Sequence, residues 1–256
     1  MKYVKKCAVL LFGVFLLAFA GQTKAEAAQA LAPFTADQLM AAVNAQCANV
    51  TSLRQTIVEN VQAVDAASQT SVTLDLSALL EKNRTVSHSV VSMNLSMGAG
   101  STAMSVGASF VESYTALMGN TVTTWQKDPA TGAWSVTQAP ATYGQLNAAN
   151  GTLSLGGISA VGAPVTTDGQ TYRFSGTVDA ALMSDMTDVL KASGIAANGP
   201  FPVVVEIDAA TLYPKSVVIG MPDLTMSDMR ATAVVTVVYD GFNQFESIAL
   251  PVVNAA

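Results

Sequence analysis

The chain has 256 residues, of which 50% are hydrophobic, 12% are charged and only one is a histidine. The hydrophobic fraction excludes a disordered protein, and the chain shows neither the glycine repeat of collagen nor the cysteine density of a disulfide scaffold. A formal net charge of −6 does not suit a nucleic-acid partner, because affinity for phosphate backbones comes mainly from lysine and arginine. We therefore expect a folded protein that does not bind nucleic acid.

The N-terminus has the pattern of a secretory signal peptide. Three lysines among the first six residues precede an apolar run at 8–20, which is too short to span a bilayer. Ala25 and Ala27 supply the small residues of a cleavage site, and an uncleaved membrane anchor is the alternative. We expect a signal peptide at 1–27 and a single extracytoplasmic domain, periplasmic or secreted, at 28–256.

The two cysteines indicate neither a lipid anchor nor an internal disulfide. Cys7 precedes the apolar run and leaves with it, and the run continues into Gln22 without the cysteine that a lipoprotein needs. Cys47 falls on a helical pattern without a basic neighbour, so we expect a buried apolar side chain and not a nucleophile. An intermolecular disulfide through Cys47 stays open.

The first predicted element is a helix at 34–50, where apolar side chains recur at steps of three and four residues. Thr35 or Asp37 can cap its start. From about Leu53 the period changes to two, which is the pattern of strands with one apolar and one polar face. The sequence therefore predicts one amphipathic helix followed by a sheet.

Alternation indicates roughly nine to eleven strands, most of them joined by hairpins. Its clearest segments are 72–76, 91–97, 104–110, 121–125, 133–137, 172–178, 203–207, 217–221 and 231–239. A short helix is predicted at 143–150, and a second substantial helix follows Asp179 with Leu182 and Met186 on its apolar stripe. Strands and helices do not alternate regularly, which excludes a parallel Rossmann-type or barrel fold.

The fold class follows from the one-sided strands. An apolar sheet face needs a cover, and two or three helices are too few to cover both faces. We expect an α+β fold in which helices cover the concave face of a large, strongly curved antiparallel sheet. A two-sheet sandwich is the alternative.

The residues that could perform chemistry do not form a catalytic or metal-binding pattern. His88 is the single histidine and lies between serines on a strand, so we expect a surface side chain and not a triad member. Asp185 and Asp188 form one carboxylate pair, which is typical of a solvated helix face. The turn at 98–103 resembles a dinucleotide fingerprint but leads into a strand. We therefore expect no enzyme, no catalytic residue, no metal and no cofactor.

Methionine distinguishes the apolar face. Six methionines fall on the apolar sides of the predicted elements: Met93, Met97, Met104, Met183, Met186 and Met221. Because methionine is flexible and polarizable, such a wall suits a cavity for flexible acyl chains. An ordinary packed core gives the same pattern, and both interpretations stay open.

Several short motifs carry a family resemblance. The segments at 175–179, 205–208, 213–215 and 239–240, in this order after an N-terminal helix and long Met-rich strands, resemble the DUF6612 family. That family is similar to the LolA-, LppX- and LprG-like extracytoplasmic proteins. The resemblance implies a half-barrel sheet with helices against its concave side and a cavity for lipid or acyl chains. Gln22 departs from the lipoprotein pattern of many relatives, so we expect a protein without a lipid anchor.

These observations lead to the expectation of a secreted, non-enzymatic protein that binds or shuttles a hydrophobic ligand between sheet and helices. Transient contact with a membrane or an envelope protein would accompany transfer. The alternative is an envelope protein-interaction or sensor module of the same fold whose cavity is filled by its own side chains. The side chains expected to line the cavity are Met97, Phe110, Phe174, Leu182, Met186, Val205 and Val237.

Overall fold

The computed structural model describes residues 30–65, 68, 70–99, 102–141, 155, 157–178, 195–197, 200–226 and 229–252. Within these residues, fourteen antiparallel strands belong to one open, curved sheet, and one segment is helical. The structure therefore confirms a fold dominated by a large antiparallel sheet, and its single sheet differs from the two-sheet alternative. The helices predicted at 143–150 and after Asp179 lie outside the described residues.

The helix α1 spans Ala36–Cys47. The strands are β1 (Ala30–Thr35), β2 (Ser52–Asp65), β3 (Thr70–Asn83), β4 (Val86–Ala99), β5 (Thr102–Met118), β6 (Thr121–Lys127), β7 (Trp134–Pro140), β8 (Ile158–Ser159), β9 (Pro164–Thr167), β10 (Thr171–Val178), β11 (Ile195–Ala197), β12 (Phe201–Asp208), β13 (Pro214–Met226) and β14 (Met229–Asp240). The count exceeds the prediction because β1, β8, β9 and β11 are too short or irregular for a clear two-residue period.

The sheet joins two series of hairpins. Its strand order is β1-β9-β10-β12-β13-β14-β2-β3-β4-β5-β6-β7, while β8 pairs with β10 and β11 pairs with β13. The two series meet where β14 pairs with β2 in unbroken register, from Met229 opposite Asp65 to Asp240 opposite Arg54. This long pairing connects the first and last parts of the chain without a second sheet.

One face of the sheet is apolar, because alternate residues of each long strand are hydrophobic. In β14, the buried positions run from Met229 to Tyr239 in steps of two. We call this side the apolar face and the opposite side the outer face. Leu39, Val43 and Cys47 of α1 belong to the same hydrophobic core as the apolar face. The apolar side of the helix therefore packs into the same core as the apolar face of the sheet.

Hydrogen bonds hold α1 to the segment around β8 and β9. The Gln38 side chain accepts from the Thr35 backbone N–H (3.1 Å), which satisfies a donor at the start of the helix. Asp37 accepts from the Gly162 N–H (3.2 Å), and Asn44 accepts from the Leu155 N–H (3.1 Å). The helix is thus fixed against loop backbone at two points of its length.

A β-bulge in β5 changes which side chains face the core. Ser105 pairs with Ser96, whereas Gly107 pairs with Leu95, so β5 has one extra residue between these pairs. Because of the extra residue, each side chain in the remainder of β5 lies on the face opposite to the one that regular alternation predicts. The prediction that 104–110 alternates regularly is therefore wrong: Met104 shares the apolar face with Met97, but Phe110 lies opposite Ser92 on the outer face.

Glycine is required where β8 crosses close to β10. A Cβ atom at Gly176 would lie 2.6 Å from the Ser159 carbonyl oxygen and 3.0 Å from the Ala160 Cβ. Gly176 pairs with Val203 on the apolar face. The neighbouring Ile158 and Ala160 are both buried, and the close approach places them over that end of the sheet. The segment before β9 thus closes the apolar face at β10.

Candidate functional site

Three residues predicted to line a cavity lie in one row across the apolar face. Phe174 pairs with Val205, and the row continues through Val217 to Val237 and Ile57. Phe174 is 2% exposed, and Val205 and Val237 are each 0% exposed. In this part of the sheet, β10 to β14, the protein's own side chains pack the apolar face closely.

The apolar face is more open over β4 and β5. Met93, Met97 and Val111 are only partly buried and pack against the edge of the core. Met104 lies opposite Met97 and is 73% exposed. We call these four residues the methionine patch. It is the exposed continuation of the apolar face, and it contains one of the predicted cavity residues, Met97.

Phe110, another predicted cavity residue, does not join this patch. Phe110 is 48% exposed and lies on the outer face, so its expected place beside Met97 is corrected by the bulge in β5. Leu182 and Met186 lie outside the described residues. The structure therefore places four of the seven predicted side chains on the apolar face.

Glu59 is a residue that the sequence analysis missed. It stands on the apolar face of β2, opposite Val235 of β14 and Leu76 of β3, and is only 5% exposed. Burial raises the pKa of Glu59 to about 7, because a carboxylate loses its hydration in apolar surroundings. The sequence does mark this residue: Glu59 lies between Ile57 and Val61 at a position where the two-residue alternation predicts an apolar side chain.

The outer face carries a ladder of charged side chains that crosses six strands. Arg54 on β2 contacts Asp240 on β14 at 3.7 Å and Glu81 on β3 at 2.8 Å. Glu112 on β5 accepts a hydrogen bond from Lys127 on β6 at 2.8 Å. The two halves of the ladder meet on β4.

His88 joins the two halves. Its Nδ1 lies 3.4 Å from Glu81 Oε2 and its Nε2 lies 3.2 Å from Glu112 Oε1, and its ring stacks on Tyr114 with centroids 4.2 Å apart. The expectation of a surface side chain is confirmed in part, because His88 lies on the outer face of the sheet. The side chain is, however, only 16% exposed, because the stacked ring and both carboxylates surround it.

The ladder lowers the pKa values of two of its carboxyl groups, those of Glu81 and Glu112. Burial raises the pKa of Glu81, but hydrogen bonds from Arg54 and His88 outweigh burial and hold it below the ordinary value. A hydrogen bond from Lys127 does the same for Glu112. The hydrogen-bonding groups that contact these carboxyls therefore favour their charged forms. Among these contacts none activates a nucleophile, and the arrangement suits a structural network across the strands.

A shallow groove lies at the tip of the outer face. A second bulge sets Pro222 and Asp223 of β13 opposite the single residue Thr232, and the groove beside it encloses about 470 Å³. Gln62, Val64, Arg230 and Ala231 complete its wall. The lining combines one cation, one carboxylate, an amide, a hydroxyl and aliphatic groups, without a concentration of either charge.

Metal binding and membrane crossing find no support within the described part of the chain. Its histidine, cysteine, aspartate and glutamate residues do not form a group of three or more that could hold a metal ion. No helix within 30–252, as far as this range is described, combines the length and hydrophobicity needed to cross a bilayer.

Comparison with known proteins yields weak structural likenesses. No family model matches the chain, and no curated protein matches it either. A DUF1329 family protein from Desulfovibrio piger has a TM-score of 0.26 at 9% identity, over 82% of this chain and 92% of that one. The S-type phycobiliprotein lyase CPES from Guillardia theta has a TM-score of 0.14 at 8% identity, over 81% and 94%. Both scores are too low to support an inference, and membership in the DUF6612 family stays a prediction.

Proposed function

We propose that this protein binds or shuttles a hydrophobic ligand, a lipid or an acyl chain, and performs no catalysis. In this proposal the ligand lies against the apolar face of a half-barrel sheet, and helices cover it on the concave side. The protein works outside the cytoplasm after loss of its signal peptide and is not lipid-anchored. The order of its elements supports placing it with the DUF6612 family.

The observation that carries the proposal is the methionine patch. A fully self-filled core would bury Met93, Met97 and Val111 as completely as it buries Val205 and Val237. These three side chains are instead partly exposed, and they continue the buried core without a break. A ligand chain laid on the patch would extend the core, and each methylene group removed from water would contribute about 0.8 kcal/mol. Methionine side chains adapt to chains of different shape.

A fluorescent acyl probe tests this proposal with a matched pair of variants. Met97→Gln places an amide on the patch, while Met118→Gln makes the same change at an exposed methionine near the end of β5. We expect Met97→Gln to weaken probe binding about tenfold or more, because the amide is costly to bury beside an acyl chain. Met118→Gln should bind like the unchanged protein. Equal binding by both variants would contradict a ligand site on the patch.

The second candidate is an envelope protein-interaction or sensor module. The observation in its favour is the complete burial of Phe174, Val205 and Val237 by the protein itself. If the apolar face is filled in the same way throughout, the protein has no space for a lipid. Stability that depends on a partner protein, together with failure to bind any acyl probe, would favour this candidate.

A further inference from the structure

The position of Glu59 points to the chemistry of the ligand. Its neighbours across the strands and along the diagonals of the apolar face are all aliphatic: Val235, Leu76, Ala233, Val237, Leu74 and Ala78. None of these side chains can donate a hydrogen bond or supply a charge. A buried carboxyl group in such surroundings is costly unless a partner reaches it.

The other titratable groups on the apolar sides of β2, β3 and β14 are too far along the strands to be that partner. Lys82 and Asp65 lie at register positions six residues from Glu59, roughly 20 Å at the rise of a strand. Tyr239 lies four positions away, roughly 13 Å. Cys47 of α1 contributes to the raised pKa of Tyr239 and does not contribute to that of Glu59. The protein therefore supplies no counter-charge to Glu59 from the described residues.

The carboxyl group also keeps a small contact with solvent. Every fully enclosed side-chain nitrogen or oxygen of the described residues has a hydrogen-bond partner. Glu59 has no partner among those residues, and burial is the only influence on its titration. Its oxygens are thus not sealed in packed protein, although the residue is 5% exposed. Water can therefore touch them.

We propose that Glu59 is the polar anchor of the ligand site and that it selects an amphiphile with a protonated amine next to its apolar chain. This inference rests on the proposed function. An ammonium group supplies both the opposite charge and the hydrogen-bond donors that the carboxylate lacks, and charge-assisted hydrogen bonds are the stronger ones. A hydroxyl would supply a single neutral donor, and a fatty-acid carboxylate would add a second negative charge. The net charge of −6 also favours a cationic ligand.

A series of ligands with the same chain tests the inference. Dodecylamine, 1-dodecanol and dodecanoic acid share one apolar chain and differ only in their polar group. Calorimetric titration at pH 8.5, where the carboxyl of Glu59 is ionised, should give an affinity for the amine about tenfold or more above that for the alcohol. The preference should decrease at pH 5 without any substitution, because Glu59 is then protonated.

Two variants test whether the preference for the amine comes from Glu59 itself or from the overall negative charge of the protein. Glu59→Gln keeps the size of the side chain and should reduce the amine affinity to that of the alcohol, with the alcohol affinity unchanged. Asp75→Asn removes one negative charge from the outer face, where Asp75 accepts from the Asn60 side chain, and should leave the amine preference intact. Circular dichroism confirms that both variants are folded.

Three results would overturn the inference. Binding of the alcohol with no preference for the amine refutes the anchor and leaves the proposed function standing. An amine preference that survives Glu59→Gln does the same. Failure of all three ligands to bind refutes the proposed function, and the inference falls with it.

Discussion

Glu59 and Leu76 face each other across β2 and β3 on the apolar side of the sheet. A carboxyl group therefore stands beside an isobutyl group in the middle of a hydrophobic wall, where burial is the only influence that the described residues exert on its protonation. One residue further along β2, Asn60 lies on the outer face and donates to Asp75. The strand thus places a polar group on each side, but only the one on the outer face has a partner within the described residues.

The stability of the protein should fall as the pH rises from about 4.5 to above 7. The ordinary pKa of a glutamate is 4.5, and that of Glu59 in the fold is about 7. In this window the folded state binds more protons than the unfolded state, so raising the pH favours unfolding. The pKa difference corresponds to a loss of about 3 kcal/mol once Glu59 is ionised.

Urea unfolding across this pH range measures the effect. Glu59→Gln should have nearly the stability of the unchanged protein at pH 4.5 and exceed it above pH 8, while Asp75→Asn should follow the unchanged protein. A Glu59→Gln variant with the same pH dependence as its parent would show that Glu59 is not buried in apolar surroundings.

Two phenylalanines of the sheet should respond very differently to truncation. Phe174→Ala removes a side chain that is 2% exposed and should lower the free energy of unfolding by about 3–5 kcal/mol through a core cavity. Phe110→Ala removes one that is 48% exposed and should cost about 1 kcal/mol or less. Chemical denaturation of both variants compares them directly. Similar losses would mean that the bulge in β5 does not turn Phe110 outward.

The charged ladder should contribute modest, salt-dependent stability. Glu112→Gln removes the carboxylate that Lys127 contacts and one of the two that His88 contacts, and it should cost about 0.5–1 kcal/mol at low ionic strength, since the ladder is only partly buried. The cost should shrink at 1 M salt because salt screens such pairs. Denaturation at both salt concentrations, with the exposed Glu246→Gln as control, checks this. A loss that does not change with salt would contradict an electrostatic role.

Acid should weaken the same ladder. The pKa of Glu112 lies below its ordinary value of 4.5, chiefly through the hydrogen bond from Lys127. Its contribution is therefore present above pH 4.5 and is lost as the pH falls through the lowered pKa. The ladder and Glu59 thus act in separate pH windows and with opposite signs, which allows one pH series to distinguish them.

Cys47 should be inert in the folded protein. It is fully buried on α1, and burial raises the pKa of its thiol to about 11, whereas thiol reagents attack the thiolate. Labelling with Ellman's reagent at pH 8 should be negligible until denaturant unfolds the protein. Rapid stoichiometric labelling without denaturant would contradict the packing of α1 on the core. It would also support the alternative that Cys47 forms an intermolecular disulfide.

The strands could be predicted wherever alternation is long and regular. In β14, every second residue from Met229 to Tyr239 is buried, because the period of a strand maps directly onto its two faces. The helix α1 was likewise predictable from its three- and four-residue steps. Short strands are too short to show a two-residue hydrophobic period. The strand β8, for example, has two residues and is defined by its pairing with β10.

The site was less predictable for two physical reasons. A single extra residue in β5 moved Phe110 to the outer face. The hydrophobic pattern of 104–110 does not reveal this bulge, because its apolar residues all fall in one phase of a regular alternation. Glu59 was overlooked because a charged residue at an apolar phase looks like an interruption of a strand. In the structure it is a buried carboxyl group in the middle of the apolar face.

Native mass spectrometry of the protein purified from its own host, followed by organic extraction and analysis of the extract, tests the central claim most directly. We expect a bound hydrophobic molecule in near-stoichiometric amount, reduced by Met97→Gln and retained by Met118→Gln. A folded protein that carries no such molecule, and that gains none when offered lipids, would contradict a ligand-binding function.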